Sequence, residues 1–200
     1  MRKKAGIACI AAGALLILAA LLLFVYNYRE ADRAGNASAD VLPELQAAIV
    51  QAEQAHVDLP SIQESEEQIP TAEIDGNEYI GYLTIPALGL ELPVMAELDS
   101  ARLETAPCRY YGTPNDNLVI AGHNYSRHFG RLHDLRIEDP IMLTDAAGGK
   151  HLYRVCEIEI LAGTAITQML DSGYDLTLFT CTTGGSARCA VRCTRVETAS

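Results

Sequence analysis

Residues 5–25 are 21 consecutive positions without a charge. As a helix rising 1.5 Å per residue they extend about 31 Å, the hydrocarbon thickness of a bilayer. A secretory signal has an apolar core of roughly 7 to 15 residues with a small-x-small cleavage site close behind it. Here the nearest such triplet, Ala37-Ser38-Ala39, comes a dozen residues too late. The segment is therefore read as an uncleaved, single-pass membrane anchor. Arg2, Lys3 and Lys4 precede it, whereas Arg29 is followed directly by Glu30. The positive-inside rule then keeps the amino terminus in the cytoplasm and puts the rest of the chain outside the cell.

Charge separates the anchor from the body. The first 30 residues carry four basic and one acidic side chain, leaving 11 basic and 25 acidic in the remainder, a net −14. Such a body repels phosphate backbones, so nucleic acid is excluded as a partner. Residues 31–76 hold ten acidic side chains against Arg33 alone, with Pro43, Pro60 and Pro70. This stretch reads as a solvated stalk, with a segment folded back over an active site as the alternative. Asp40 can cap a short helix within it, where Leu42, Leu45 and Ile49 recur at helical spacing and Pro43 falls in the first turn. Residues 57–76 read as acidic linker. The expected organisation is a cytoplasmic tail (1–4), an anchor (5–26), an acidic stalk with a short helix (27–76) and a folded domain (77–200).

From Tyr79 onward the pattern changes to short β-rich runs separated by turn signals, with no sustained 3.6-residue periodicity. Runs at 79–85, 90–94, 118–121, 141–144, 152–161, 176–180 and 188–196 predict a mostly β domain, a closed or nearly closed barrel. Residues 100–106 and 131–135 are the expected short helices.

Six cysteines in an exported chain suggest disulfides, but Cys9 falls in the anchor and five is an odd number. Cys189 and Cys193, four apart on one strand, lie about 13 Å apart if extended, too far to bridge. Buried free thiols are expected for Cys108, Cys156, Cys189 and Cys193, with a bridge from Cys108 or Cys156 to the last strand as the alternative. Cys181 differs in context. It ends the run Leu176-Thr177-Leu178-Phe179-Thr180 and opens into Thr182-Thr183-Gly184-Gly185, where a side chain can reach a cleft. His123, in Ile120-Ala121-Gly122-His123-Asn124, also ends an apolar strand. A thiolate beside a proton-transferring imidazole is the minimum for acyl transfer. Arg188, seven residues beyond Cys181, can return beside the thiol and stabilise an oxyanion. Arg192 and Arg195 compete for that role. Alternation puts Arg188 and Arg192 on one face of the strand and Arg195 on the other. The spacings of His128, His133 and His151 match no standard zinc pattern, and no metal site is expected.

Leu178-Phe179-Thr180-Cys181 resembles the Leu-x-Thr-Cys motif of sortases, a family that also places a histidine about 60 residues upstream in a Gly-His context and an arginine shortly downstream. Tyr79-Ile80-Gly81-Tyr82-Leu83-Thr84-Ile85-Pro86, Leu92-Pro93-Val94 and Asn117-Leu118-Val119-Ile120-Ala121-Gly122-His123-Asn124 are similar to the family as well, so that the likeness covers roughly residues 78–197. It implies an eight-stranded β-barrel and a membrane-anchored cysteine transpeptidase on the outer face of a Gram-positive-type bacterium, working without cofactor or metal. Cys181 is then the nucleophile that attacks a sorting-signal threonine in a Leu-Pro-x-Thr-Gly-like sequence. His123 is the general acid and base, Arg188 stabilises the oxyanion, and Thr180 and Asn124 contact the peptide. The acceptor is an amine of a cell-wall precursor or a pilin. The stalk carries no Asp-Pro-aromatic plug of the kind found in lidded pilin sortases, which favours a class B-like or class D-like enzyme without a lid. The short stretch 162–175 argues against an elaborate substrate-binding helix. A membrane-tethered cysteine peptidase is the enzymatic rival, and a non-catalytic surface binding module the rival of another class.

Overall fold

The computed structural model describes residues 2–57 and 69–196. The middle of the expected linker, 58–68, lies outside the described residues, as do Met1 and 197–200. The chain divides into two units, Met1–Arg33 and Ala34–Ser200. Helix α1, Arg2–Val57, begins in the first and ends in the second. In the first unit its leucines and Phe24 stand exposed. This is the one helix among the described residues that is long and apolar enough to cross a membrane, with a window of mean hydropathy 2.4.

In the second unit, residues 34–57 of α1 differ from the expected stalk. Asp40 does not cap a helix; it lies inside one, and so does Pro43, whose ring leaves the Ala39 carbonyl without an intrahelical donor. Ala34, Ser38, Leu45 and Ile49 are all buried, which at spacings of 4, 7 and 4 makes one helical face. Leu45 and Ile49 pack with Tyr79, Met95, Ala106 and Cys108 in a cluster of their own. The reading of a solvated spacer is corrected for this face. An apolar stripe needs a cover, and the barrel wall supplies it, while Asp40 and Glu44 stay exposed.

Nine strands follow: β1 Ala72–Ile74, β2 Asn77–Ile85, β3 Leu90–Met95, β4 Cys108–Thr113, β5 Asp116–Ala121, β6 Pro140–Asp145, β7 Lys150–Ala162, β8 Leu176–Cys181 and β9 Ala187–Arg195. Their order is β1-β2-β3-β4-β5-β8-β9-β7-β6, and β2 also pairs with β6, so that eight strands close into a barrel with β1 added outside. The expected eight-stranded barrel is thus observed. Closure depends on Gly81. It pairs with Asp145 at φ +140°, and any Cβ there would drive into the Thr144 carbonyl. β1 lies within the expected linker. The Asp75-Gly76 turn that joins it to β2 has both residues at positive φ (49° and 73°), the twist a two-residue hairpin requires.

The sequence reading missed β4, whose Arg109-Tyr110-Tyr111-Gly112 stretch is half-exposed and whose pairing with β5 slips twice. It also missed helix α3, Ile166–Leu170. Helix α2, Ser100–Thr105, is where it was expected, with the Asp99 carboxylate accepting the Arg102 N–H as its cap. The stretch around Arg131 is a 3-10 helix, Phe129–Asp134. Inside the barrel Ile80, Leu83, Leu118, Ile120, Leu143, Val155, Leu178 and Val191 share one core. Cys108, Cys156, Cys181, Cys189 and Cys193 are all free thiols.

Candidate active site

Three adjacent strands carry the candidate residues to one place. β5 and β8 run parallel with Ala121 opposite Phe179, and the Gly122 N–H donates to the Phe179 carbonyl at 3.0 Å. Two residues further along these neighbouring paths come His123 and Cys181. Strands in a sheet lie about 4.8 Å apart, so equivalent positions on β5 and β8 are side by side. β9 returns antiparallel on the other flank of β8, with Arg188 directly opposite Cys181. Alternation fixes the direction of all three. Leu118, Ile120, Leu176, Leu178, Cys189 and Val191 point into the barrel core. Val119, Phe179 and Ala190 lie outside it in a second cluster, and His123, Cys181 and Arg188 share their parity.

The three line one groove of about 310 Å³, walled by Leu98, Leu103, Tyr110, Ile166, Met169 and Phe179. Tyr110 meets Phe179 edge to face, ring centres 5.5 Å apart. The wall is apolar, and of its residues only Phe179, within the Leu178-Phe179-Thr180-Cys181 motif, stood out in the sequence. A strand that the sequence did not suggest (β4) and an unexpected helix (α3) contribute part of it.

Gly122 precedes the imidazole for a steric reason: a Cβ there would lie 2.5 Å from the Phe129 ring. His123 is half-buried, and burial lowers its pKa from the usual 6.5, opposed by the nearby Glu104 carboxylate. Tyr125 stands against it, ring centres 4.8 Å apart. Arg188 is held at the groove by donating Nη1–H bonds to the carbonyls of Gly185 and Ala187, each 3.1 Å. Gly185 belongs to the β8–β9 turn, where Gly184 and Gly185 both have positive φ, and Ala187 opens β9.

The competing arginines are placed elsewhere. Arg192 shares the outward face with Arg188, but its guanidinium is buried against Glu159, Thr177 and the carbonyls of Gln168 and Met169. Arg195 is occupied at the far end of the strand with Asn115 and the Pro114 carbonyl. Thr180, expected to contact the peptide, lines both grooves. Its side chain turns inward, is almost fully buried and donates to the Gly122 carbonyl at 2.8 Å, so the hydroxyl is spent on the scaffold. Asn124 is exposed and lines a second groove of about 260 Å³, which shares only Thr180 and Cys181 with the first. The other histidines are separated. His128 is buried against Ser38, His151 pairs with Asp145 and His133 lies beside Asp134. Among the described residues no three metal-ligating side chains gather.

The model of the sortase domain matches residues 83–196, more than half of the chain. The chain belongs to the sortase family. Sortases are cysteine transpeptidases, and the fold agrees with solved sortase structures. It is similar to a sortase D5 transpeptidase from Clostridium perfringens (19% identity, TM-score 0.61, covering 81% of this chain and 99% of that one). It is also similar to sortase C from Streptococcus pneumoniae (22%, TM-score 0.59, 80% and 97%) and to sortase A from Corynebacterium diphtheriae (24%, TM-score 0.56, 88% and 96%). No curated protein matches this sortase by sequence.

Proposed function

We propose that this sortase cleaves a Leu-Pro-x-Thr-Gly-like sorting signal after threonine and passes the acyl group to an amine of a cell-wall precursor or a pilin. The observation that carries the reading is the convergence of His123, Cys181 and Arg188 from three adjacent strands on one apolar groove. The Cys181 thiol passes its proton to His123 as sulfur attacks the threonine carbonyl, and the Arg188 guanidinium stabilises the oxyanion. The imidazolium then gives that proton to the departing amine, leaving a thioester. Burial disfavours a charged imidazole at rest, which suits His123 to accept the first proton. In the second half-reaction the incoming amine attacks the thioester, its proton passes to His123, and from there it returns to the sulfur. The apolar groove wall fits the leucine and proline side chains. The second groove, with Asn124, His133 and Thr183, gives the leaving and entering amines a polar approach to the opposite side of Cys181. The apolar segment of α1 anchors the enzyme with its amino terminus in the cytoplasm and the barrel outside.

The test is mass spectrometry of the protein incubated with sorting-signal peptides, with and without glycine-type and diaminopimelate-type amines. An acyl adduct on Cys181 that transfers to an amine is expected, and Cys181→Ala abolishes it. An adduct that only hydrolyses would make the protein a peptidase. A thiol that forms no adduct and resists iodoacetamide would make it a binding module.

A further inference from the structure

We propose that Arg192 is a positioning residue for the substrate groove, holding helix α3 against the barrel so that Ile166 and Met169 form a fixed wall. The inference rests on the groove beside Cys181 being the peptide site. α3 has five residues and no side-chain cap at its start. A helix this short does not hold itself together, and its last carbonyls lack intrahelical donors. Three consecutive carbonyls at its end are instead met by side chains of the barrel. Arg192 Nη2 donates to Gln168 at 2.8 Å, Arg192 Nη1 to Met169 at 3.3 Å, and Asn117 Nδ2 donates to Leu170.

Arg192 is 1% exposed. Its other bonds, Nε to Glu159 at 2.8 Å and Nη1 to the Thr177 hydroxyl at 2.9 Å, tie the guanidinium to β7 and β8. One planar fork thus joins two strands of the barrel to the last turn of α3, an arrangement that an ammonium on a flexible stem does not reproduce. Both residues it holds in place reach the groove: Met169 is buried with Val119, Leu161 and Ala190, and Ile166 is exposed at the groove edge. Arg192 lies four residues along β9 from Arg188, about 13 Å at strand rise. It acts on the peptide through α3 and not on the reacting atoms.

The experiment compares wild type, Arg192→Lys and Asn117→Gly in the full-length protein in detergent micelles. Asn117 has φ +43°, which glycine adopts freely, so this second variant loses one bond to α3 with the backbone undisturbed. Three quantities are read: amide hydrogen exchange, the rate of Cys181 alkylation by iodoacetamide, and KM and kcat for acylation by a sorting-signal peptide. Arg192→Lys is expected to lose protection at residues 166–171 while β8 and β9 stay protected. KM is expected to rise about tenfold, with kcat and the alkylation rate within about threefold of wild type. Asn117→Gly is expected to move the same quantities in the same direction by less. If Arg192→Lys fails to fold, Thr177→Val, which removes one bond of the Arg192 guanidinium, takes its place with the same expectation. Unchanged exchange in α3, or kcat and alkylation falling as far as kcat/KM, would overturn the proposal. If wild type itself forms no acyl adduct, the peptide reading fails, and the exchange data still decide whether Arg192 holds α3.

Discussion

The hydroxyl of Thr180 donates a 2.8 Å hydrogen bond to the carbonyl of Gly122, joining the residue before Cys181 to the residue before His123. The bond is buried and spans 58 residues of sequence. It fixes the spacing of the two parallel strand ends just where their hydrogen-bond ladder stops. Thr180→Val keeps the shape and removes the donor, leaving the Gly122 carbonyl short of a partner at a cost of about 1 to 3 kcal/mol. We expect kcat for peptide acylation to fall about tenfold or more, with Thr180→Ser close to wild type. Steady-state kinetics and thermal melts of the three proteins check this. Equal loss in both variants would mean that the methyl group, not the hydrogen bond, sets the geometry.

Arg188 is half-exposed at the groove, and its backbone-carbonyl partners are Gly185 in the neighbouring turn and Ala187 at the start of β9. Replacing it by lysine keeps a positive charge and removes the planar fork. The expected result is a loss of about 100-fold or more in kcat, the scale of removing one oxyanion donor, with the melting temperature almost unchanged. Single-turnover acylation measured by quenched mass spectrometry reads the first quantity and calorimetry the second. Activity retained in Arg188→Lys would reduce the role to simple charge attraction.

His128 is fully buried. Its Nε2 lies 3.1 Å from the Ser38 hydroxyl and 3.2 Å from the Ala34 carbonyl, while Nδ1 has no hydrogen-bond partner. Burial drives its pKa down to about 4 from 6.5, helped by the nearby His123 and Arg127 and opposed by the bond to Ala34. Between these values the unfolded chain binds the proton and the folded one does not, so stability rises with pH across this window. Acidification from pH 6.5 to 4 therefore costs about 3 kcal/mol at this site. Denaturant melts of residues 34–200 at several pH values, wild type against His128→Gln, should show that difference closing towards pH 4. A pH-independent difference would contradict it.

Leu45 on α1 is completely buried against Tyr79, Met95 and Cys108. Leu45→Ala is expected to destabilise the unit 34–200 by about 2 to 5 kcal/mol, the usual range for a core leucine. A fragment starting at Ile69 keeps β1, removes the whole of this cover and exposes the same three side chains. It should melt at a lower temperature and bind a hydrophobic dye more strongly than the fragment starting at Ala34. Equal melting of the two fragments would show that α1 adds nothing to the barrel.

Most of the barrel was legible because strand alternation is a local property. Seven runs of apolar residues bounded by turn signals matched seven strands within a few residues. β4 was not legible, since its exposed tyrosines and two register slips erase the alternation. The packed half of α1 was hidden for the opposite reason: its stripe of Ala34, Ser38, Leu45 and Ile49 is regular, but Pro43 and the three acidic residues Asp40, Glu44 and Glu53, in a region 31–76 that holds ten, argue for solvent until the barrel is present to cover one side. α3 escaped notice because five residues carry no periodicity and its bonding partners lie on strands before and after it.

Residue order alone showed an apolar run long enough to span a membrane and the strand runs, because each depends on neighbours within a few positions. Likeness to the sortase motif singled out Cys181 and His123. Which arginine lies opposite Cys181 was decided only by the tertiary structure. Alternation gave Arg188 and Arg192 the same face, and the difference between them is the register that puts Arg188 opposite Cys181 and the helix that closes over Arg192. The same holds for Thr180, whose hydroxyl turned out to serve a carbonyl 58 residues away. Long-range hydrogen bonds and burial are properties of the closed barrel, and no stretch of sequence carries them until its partner strands are in place.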